Sequence, residues 1–357
     1  MNTWNQLLDA QGARRAEQAP DQVLDFGRAL SATELAAGFA APVTDLGLIA
    51  LNGEESASFL HSQLTNDVEH LNAEQVRLAG YCSPKGRLLA SFLLWRDAET
   101  IYLQLPRTIQ APLQKRLQMF VLRAKTKLSD ATALPANEVV LGLGGAAVEA
   151  LLRTWFDVLP AQPYSRIDHP LGALLRVADV FGAPRYQWLT SSATAATVWP
   201  LLAERLAVGG NDAWHLSEIH AGVPQIGAGT QEQFVPQMVN YELLGGVNFK
   251  KGCYPGQEIV ARSQYLGKLK RRTTLVSIAD RAAVPGAEVF ATADPEQPCG
   301  MVVNAAPNGA GGVDALVEMK LAAIDAGVAE GAVRLGSAGG TPLQFLAMPY
   351  VLDALDL

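Results

Sequence analysis

The sequence predicts an α+β protein with a separable ferredoxin-like unit in its middle and a small antiparallel β-barrel at its end. Three observations carry this. Between 136 and 219 the periodic segments run β-α-β-β-α-β, the ferredoxin-like order. From 273 to 357 six short apolar runs are cut by Gly, Pro and Asn, as in a small barrel or sandwich. From 76 to 105 three strand-like runs follow one another, the first two joined by a Pro84-Lys85-Gly86 turn, which reads as an antiparallel meander.

The elements follow in order. Residues 1–20 read as a helix and loop, with Trp4, Leu7 and Leu8 on one face and Gly12 and Pro20 as bounds, so 1–40 forms an N-terminal extension. Residues 43–51 read as a strand, broken at Asn52-Gly53. Phe59, Leu60 and Leu64 then recur at helical spacing over 54–64. Thr65, Asn66 and Asp67 follow, where a turn that closes the helix is the plain account. A helix is expected over 108–119 and a strand over 121–130. In the middle unit, 138–144, 172–179, 184–190 and 213–219 read as strands, and 146–156 and 194–206 as helices. Gly142, Gly144 and Ala147 nearly spell a dinucleotide-binding turn. Asp157 lies too early to serve as the ribose acid, so a tight strand-to-helix turn accounts for the glycines better.

Composition bounds the function. The 357 residues are 49% hydrophobic and 18% charged, which suits a folded protein. A net charge of −7 argues against a nucleic-acid binder that relies on global electrostatics. No apolar run reaches the length of a membrane span, and the polar start lacks the pattern of a secretory signal, so a cytoplasmic location is expected. Cys82, Cys253 and Cys299 are widely separated. No metal site is expected from them, and this chain alone cannot give four thiolates to an iron–sulfur cluster.

One stretch runs against the global charge. Residues 249–272 carry seven basic residues, Lys250, Lys251, Arg262, Lys268, Lys270, Arg271 and Arg272, against the single acid Glu258. Such a patch gathers anionic ligands. Cys253 sits inside it between Gly252 and Tyr254. Nearby cations favour the reactive thiolate, while a lone cysteine also serves as a small buried hydrophobe.

The run Lys251, Gly252, Cys253, Tyr254, Pro255, Gly256, Gln257, Glu258, followed by Arg262, resembles the signature of the YgfZ-type folate-binding proteins. The Ala221-Gly222 segment and the later Phe234, Pro236, Gln237 and Asn240 resemble the same family. The helix, Leu64-Thr65-Asn66-Asp67-Val68 and the strands around Gly86 resemble the N-terminal half of the glycine-cleavage T-protein, a folate-dependent aminomethyltransferase.

The resemblance implies a T-protein-like, three-domain architecture. A folate-binding domain uses 41–135 and 210–270, a ferredoxin-like domain fills 136–209, and a β-barrel takes 271–357. It also implies tetrahydrofolate or a derivative as the ligand. Trp214 would stack the pterin, Asn66, Asp67 and Tyr81 would add polar contacts, and Lys250, Lys251, Gln257 and Arg262 would meet the rest of the folate. Cys253 would be the functional thiol, facing the same cleft.

The implied role is accessory: support of iron–sulfur cluster assembly or repair, tRNA-modifying cluster enzymes included, with iron–sulfur proteins or assembly factors as partners. The T-protein family's Asp pair, one member of which is catalytic, falls on Ala90 and Ser91, so aminomethyl transfer is expected to be lost. The family's pterin-pairing Glu falls on His220, and an early Trp falls on Leu46. A folate-dependent one-carbon transferase and a tRNA-binding module stand as the alternatives.

Overall fold

A computed structural model of the chain describes residues 3–265, 269–327 and 331–352. The N-terminal part centres on a five-stranded antiparallel sheet, ordered Val76–Cys82, Leu88–Arg96, Thr100–Pro106, Leu46–Asn52 and Lys127–Asp130. The meander is therefore present as the alternation predicts. Helices Ser56–His61 and Arg107–Gln118 cover one face, burying Phe59, Leu60, Leu113 and Leu117 with the inward side chains of the strands. Only the last four residues of the predicted 121–130 strand pair. The stretch before them is turn and loop in which Leu122 has a φ of 44°.

The middle unit is a second sheet of six strands, ordered Ser165–His169, Gly172–Val180, Ala183–Thr190, Val139–Gly144, Phe39–Pro42 and Ala207–Val208. Helices Val148–Leu152 and Ser192–Arg205 pack on one side of it around Trp188 and Trp199. The first helix, Thr3–Ala10, docks here as well, with the Trp4 and Trp199 rings edge to face at 5.5 Å. Such a ring pair adds about 0.5–1.5 kcal/mol beyond burial.

Three details depart from the expected strand order. Phe39–Pro42, expected outside this unit, enters its sheet between Val139–Gly144 and Ala207–Val208. Ser165–His169 is an extra strand paired with Gly172–Val180. The segment 213–219 is no strand but part of helix Asn211–His220; the closing strand is the two-residue Ala207–Val208, parallel to Phe39–Pro42. The alternation of Trp214 and Leu216 misleads because Ala213, Trp214, Leu216, Ser217 and Ile219 are all buried. A helix hemmed in on most sides loses the polar face that would reveal its period.

The C-terminal part is a six-stranded antiparallel sheet that curls into a barrel. Its order is Val333–Leu335, Glu288–Ala291, Asp294–Pro307, Val313–Lys320, Arg271–Ile278 and Leu343–Leu346. A bridge between Arg334 and Pro342 ties the outer strands to each other and closes the curl. Its inner face is mostly Val and Ala, with Cys299 packed among them. A central core then joins all three parts: Leu46, Leu78 and Leu88, Val177 and Val180, Trp214 and Ile219, Val303 and Leu316. No helix among the described residues is long and apolar enough to cross a membrane.

Candidate functional site

At the junction of the three parts the central core leaves a small chamber of about 50 Å³. Leu46 and Ser91 wall it from the first sheet, Tyr164 and Arg185 from the second, and Trp214 and Glu218 from the Asn211–His220 helix. Arg185 is the commanding group. It is fully buried, which only a paired charge tolerates. Its Nε donates to Ala178 O at 2.9 Å, and its Nη1 donates to Ser217 Oγ at 2.8 Å and Glu218 Oε1 at 2.9 Å. Nη2 is buried and has no partner.

Tyr164 stands beside this pair with its hydroxyl buried and unpartnered. Burial, reinforced by the nearby Glu218 carboxylate, pushes its phenol well above the ordinary value, so it stays protonated. Its backbone has a φ of 61°, a strained state for a residue with a side chain. Bonds to Arg176 O at 2.9 Å and from Val76 N at 2.8 Å hold it there. Strain of this kind gathers at functional sites. The chamber thus offers two spare polar groups and a carboxylate.

The chamber adjoins a wider vestibule of about 360 Å³ through Glu218, Val223 and Gln225, which line both. One turn before Glu218, His215 Nε2 lies 2.5 Å from Asp45 Oδ2 at the vestibule wall. Burial would lower the imidazole, but the Asp45 carboxylate overrides it and raises His215 to about 9. Small-molecule sites span roughly 300–1,000 Å³. The vestibule alone falls within that range, and the chamber is far smaller. The unpartnered donors and the Glu218 carboxylate suit a pterin edge, which carries a carbonyl acceptor beside N–H donors.

The thiol segment is a different environment. Cys253 is exposed and free. Its neighbour Lys251 is drawn inward, where its Nζ donates to His61 O and, at 3.0 Å, to Leu64 O. That nitrogen also sits 4.9 Å from the centre of the Tyr254 ring. Burial lowers Lys251 to about 8, against the raising pull of Asp67, Cys253 and Glu69. Asp67 bridges two imidazoles, His61 Nδ1 at 3.1 Å and His70 Nδ1 at 2.8 Å. The segment is pinned by two turns pressed together. Gly256, with a φ of 80°, lies so close to the Gly86 turn that a Cβ there would stand 2.4 Å from Ser83 O. From this anchor the Gln257–Tyr265 helix departs.

The residues singled out from sequence fall into separate groups. Trp214 lines the chamber, as do Leu46 and Ser91, the positions of the early Trp and of the Asp pair. Ala90 is buried in the other face of its sheet. Asn66 is spent on structure, donating to Leu78 O and Gly245 O at 2.7 Å each. Tyr81 is packed in the first sheet's core. Asp67, Lys251 and Cys253 gather at the thiol segment, with Lys250, Gln257 and Arg262 nearby in the chain; Lys250 and Arg262 are exposed and Gln257 is half-buried. None of these lines the chamber or the vestibule, so Cys253, expected to face the folate cleft, lies outside both on an exposed segment.

The basic stretch is in part internal wiring. Arg271 pairs with Glu318, and Arg272 is buried against Glu242. Lys268 lies outside the described residues. His220 faces the barrel, bonded to Asp314 Oδ2 at 2.7 Å. The carboxylate that does face the chamber is Glu218, which the sequence reading passed over together with Arg185 and Tyr164. Only an i to i+4 helical spacing from Trp214 could have pointed to Glu218.

The fold and the chamber at its junction define a T-protein-like α+β protein. The crystal structure of glycine cleavage system aminomethyltransferase T from Bartonella henselae superposes with a TM-score of 0.73 at 17% identity, over 97% of this chain and 96% of that one. No family model matches the chain. The tRNA-modifying protein YgfZ of Shigella sonnei strain Ss046 is 32% identical over 234 residues, 65% of this chain and 70% of that protein. The tRNA-modifying protein YgfZ of Escherichia coli strain SMS-3-5 matches to the same extent. The chain belongs to the YgfZ family.

Proposed function

We propose that this protein is a folate-binding accessory protein that supports iron–sulfur cluster assembly or repair, tRNA-modifying cluster enzymes included. Tetrahydrofolate or a derivative enters through the vestibule, and its pterin occupies the chamber. The observation that carries the reading is the buried Arg185–Glu218 pair, with Arg185 Nη2 and Tyr164 OH unpartnered beside it. Buried polar groups are nearly always bonded, so two spare ones in one cavity speak for a ligand. The names of the relatives support the link to tRNA modification.

The chamber favours binding over transfer chemistry. At one position of the T-protein family's Asp pair stands Ser91, whose Oγ accepts from Ile226 N at 2.9 Å. A hydroxyl committed to the backbone is a poor general base. Cys253 is then the functional thiol, exposed to a protein partner while the folate sits apart. Calorimetric titration with tetrahydrofolate tests the ligand: the wild type binds, and silence at high micromolar folate sinks the reading. Cys253→Ala is expected to fail in restoring cluster-enzyme activity to cells lacking the protein. Full restoration would remove the thiol from the account.

A further inference from the structure

We infer that the surface at the C-terminal end of helix Arg107–Gln118 is a docking face for RNA that offers unpaired loop bases beside its phosphates. The inference stands apart from the folate reading and rests on a second basic stretch. Residues 107–129 carry Arg107, Lys115, Arg116, Arg123, Lys125 and Lys127 and no acid. The whole chain is at −7, so this face runs against the global charge as 249–272 does. Its cations are used differently. Arg107 pairs with Asp130 and Lys125 with Glu54. Lys115, Arg116, Arg123 and Lys127 have no acidic partner among the described residues. Arg116 is half-buried and the other three are exposed. In the 249–272 stretch, by contrast, Lys251, Arg271 and Arg272 are turned inward.

Apolar side chains stand among these cations. Met119 is 62% exposed, Phe120 47% and Leu122 87%. The helix before them is anchored, since Ile109, Leu113 and Leu117 are buried in the first sheet's core. Leu122 takes a φ of 44°, an unfavourable state for a residue with a side chain. Folding alone gains nothing from a strained turn that holds a leucine in water, and such strain gathers at functional sites. Exposed apolar groups rimmed by polar ones mark interaction surfaces. Beside the tip runs a groove lined by Gln114, Lys115, Gln118 and Met119. Cations and amides meet phosphate and sugar. An aromatic ring meets an unstacked base, as RNA loops present it. A lipid surface would meet the tip but not the recessed groove, whereas a phosphate chain with bases along it uses both.

The test is fluorescence anisotropy of the full chain against end-labelled bulk tRNA, with salt raised from about 50 to about 200 mM. Thermal denaturation checks that each variant is folded. Four phosphate contacts give a log–log salt slope of about −3. Lys115→Gln/Arg123→Gln should weaken binding and reduce that slope by about two. Phe120→Leu keeps an apolar side chain and removes the ring. It should weaken binding about tenfold at every salt concentration and leave the slope alone. Lys250→Gln/Arg262→Gln, on the thiol segment, should change neither. Wild type that ignores tRNA at low salt, or Phe120→Leu that binds as wild type does, would overturn the inference. So would loss of binding in the thiol-segment variant in place of the helix variants. Capture by phosphatidylglycerol vesicles in place of tRNA would assign the surface to lipid and overturn it too. All these variants are expected to bind tetrahydrofolate as wild type does, so none of these results decides the folate reading.

Discussion

The chamber is lined mostly by buried side chains, whereas Cys253 of the thiol segment is exposed. At the chamber, a fully buried Arg185 is paired with Glu218, whose carboxylate is partly exposed at the vestibule, and the geometry of the pair is set by bonds reaching from Ala178 to Glu218. At the thiol segment, an exposed Cys253 rides on a local run of chain clamped at one end by two glycine turns and by Lys251. The difference teaches how each can be read. A site built from local sequence advertises itself as a motif. A site built from tertiary contacts leaves almost no mark in any one stretch. The division also fits the proposed roles: buried polar groups for a small molecule, and an exposed thiol for a macromolecule.

The largest effects are expected where one partner of a buried pair is removed. Arg185→Met leaves the Glu218 carboxylate facing the chamber without its cation, and Arg272→Ala leaves Glu242 buried alone. Each should cost about 3–5 kcal/mol in urea denaturation. If Arg185→Met is instead tolerated, the chamber is not held by this pair and the contrast with the thiol segment weakens. Only the chamber variant should also lose tetrahydrofolate when folding is restored by adding Glu218→Gln.

Next come the close approaches. Gly256→Ala sets a Cβ against Ser83 O in a left-handed conformation. It should cost about 1–3 kcal/mol, loosen the Cys253 segment to limited proteolysis, and leave folate affinity intact. Gly142→Ala pushes on Trp214 and should do the reverse, weakening folate binding while the proteolysis pattern around 253 stays unchanged. Identical behaviour of the two variants would merge the two regions into one site.

A smaller effect concerns pH. His215 is raised to about 9 when folded, against about 6.5 in the unfolded chain. Its contribution to stability is therefore complete below about pH 6.5 and is lost as the pH rises through about 9. Denaturation midpoints measured from pH 6 to 10 should show this decline, and His215→Gln should flatten it. The smallest effect belongs to Arg262→Ala. That side chain is exposed, and the change should stay within about 0.5 kcal/mol in stability and leave folate affinity alone.

Much of the architecture was legible because it is local. Alternating runs bounded by Pro84-Lys85-Gly86 could only be a meander, and the Gly- and Pro-cut runs after 273 could only be short strands. The helix holding Trp214 and Glu218 was hidden because burial on most sides erased its period. Leu46, Ser91 and Trp214 reached the chamber list through family resemblance, which carries tertiary information that spacing does not. Arg185 and Glu218 lie 33 residues apart and Tyr164 sits in a loop, so nothing in their neighbourhoods marks them as a set. The basic stretch misled in the other sense. Its letters look like one anionic landing patch, yet Arg271, Arg272 and Lys251 are turned inward to acids and carbonyls.

The account stands on the separation of the folate chamber from the exposed thiol. Hydrogen exchange followed by mass spectrometry, with and without saturating tetrahydrofolate, tests it most directly. The account predicts slowed exchange in peptides covering 183–190 and 211–220 and no change across 249–265. Protection confined to 249–265, with the chamber peptides unmoved, would contradict it.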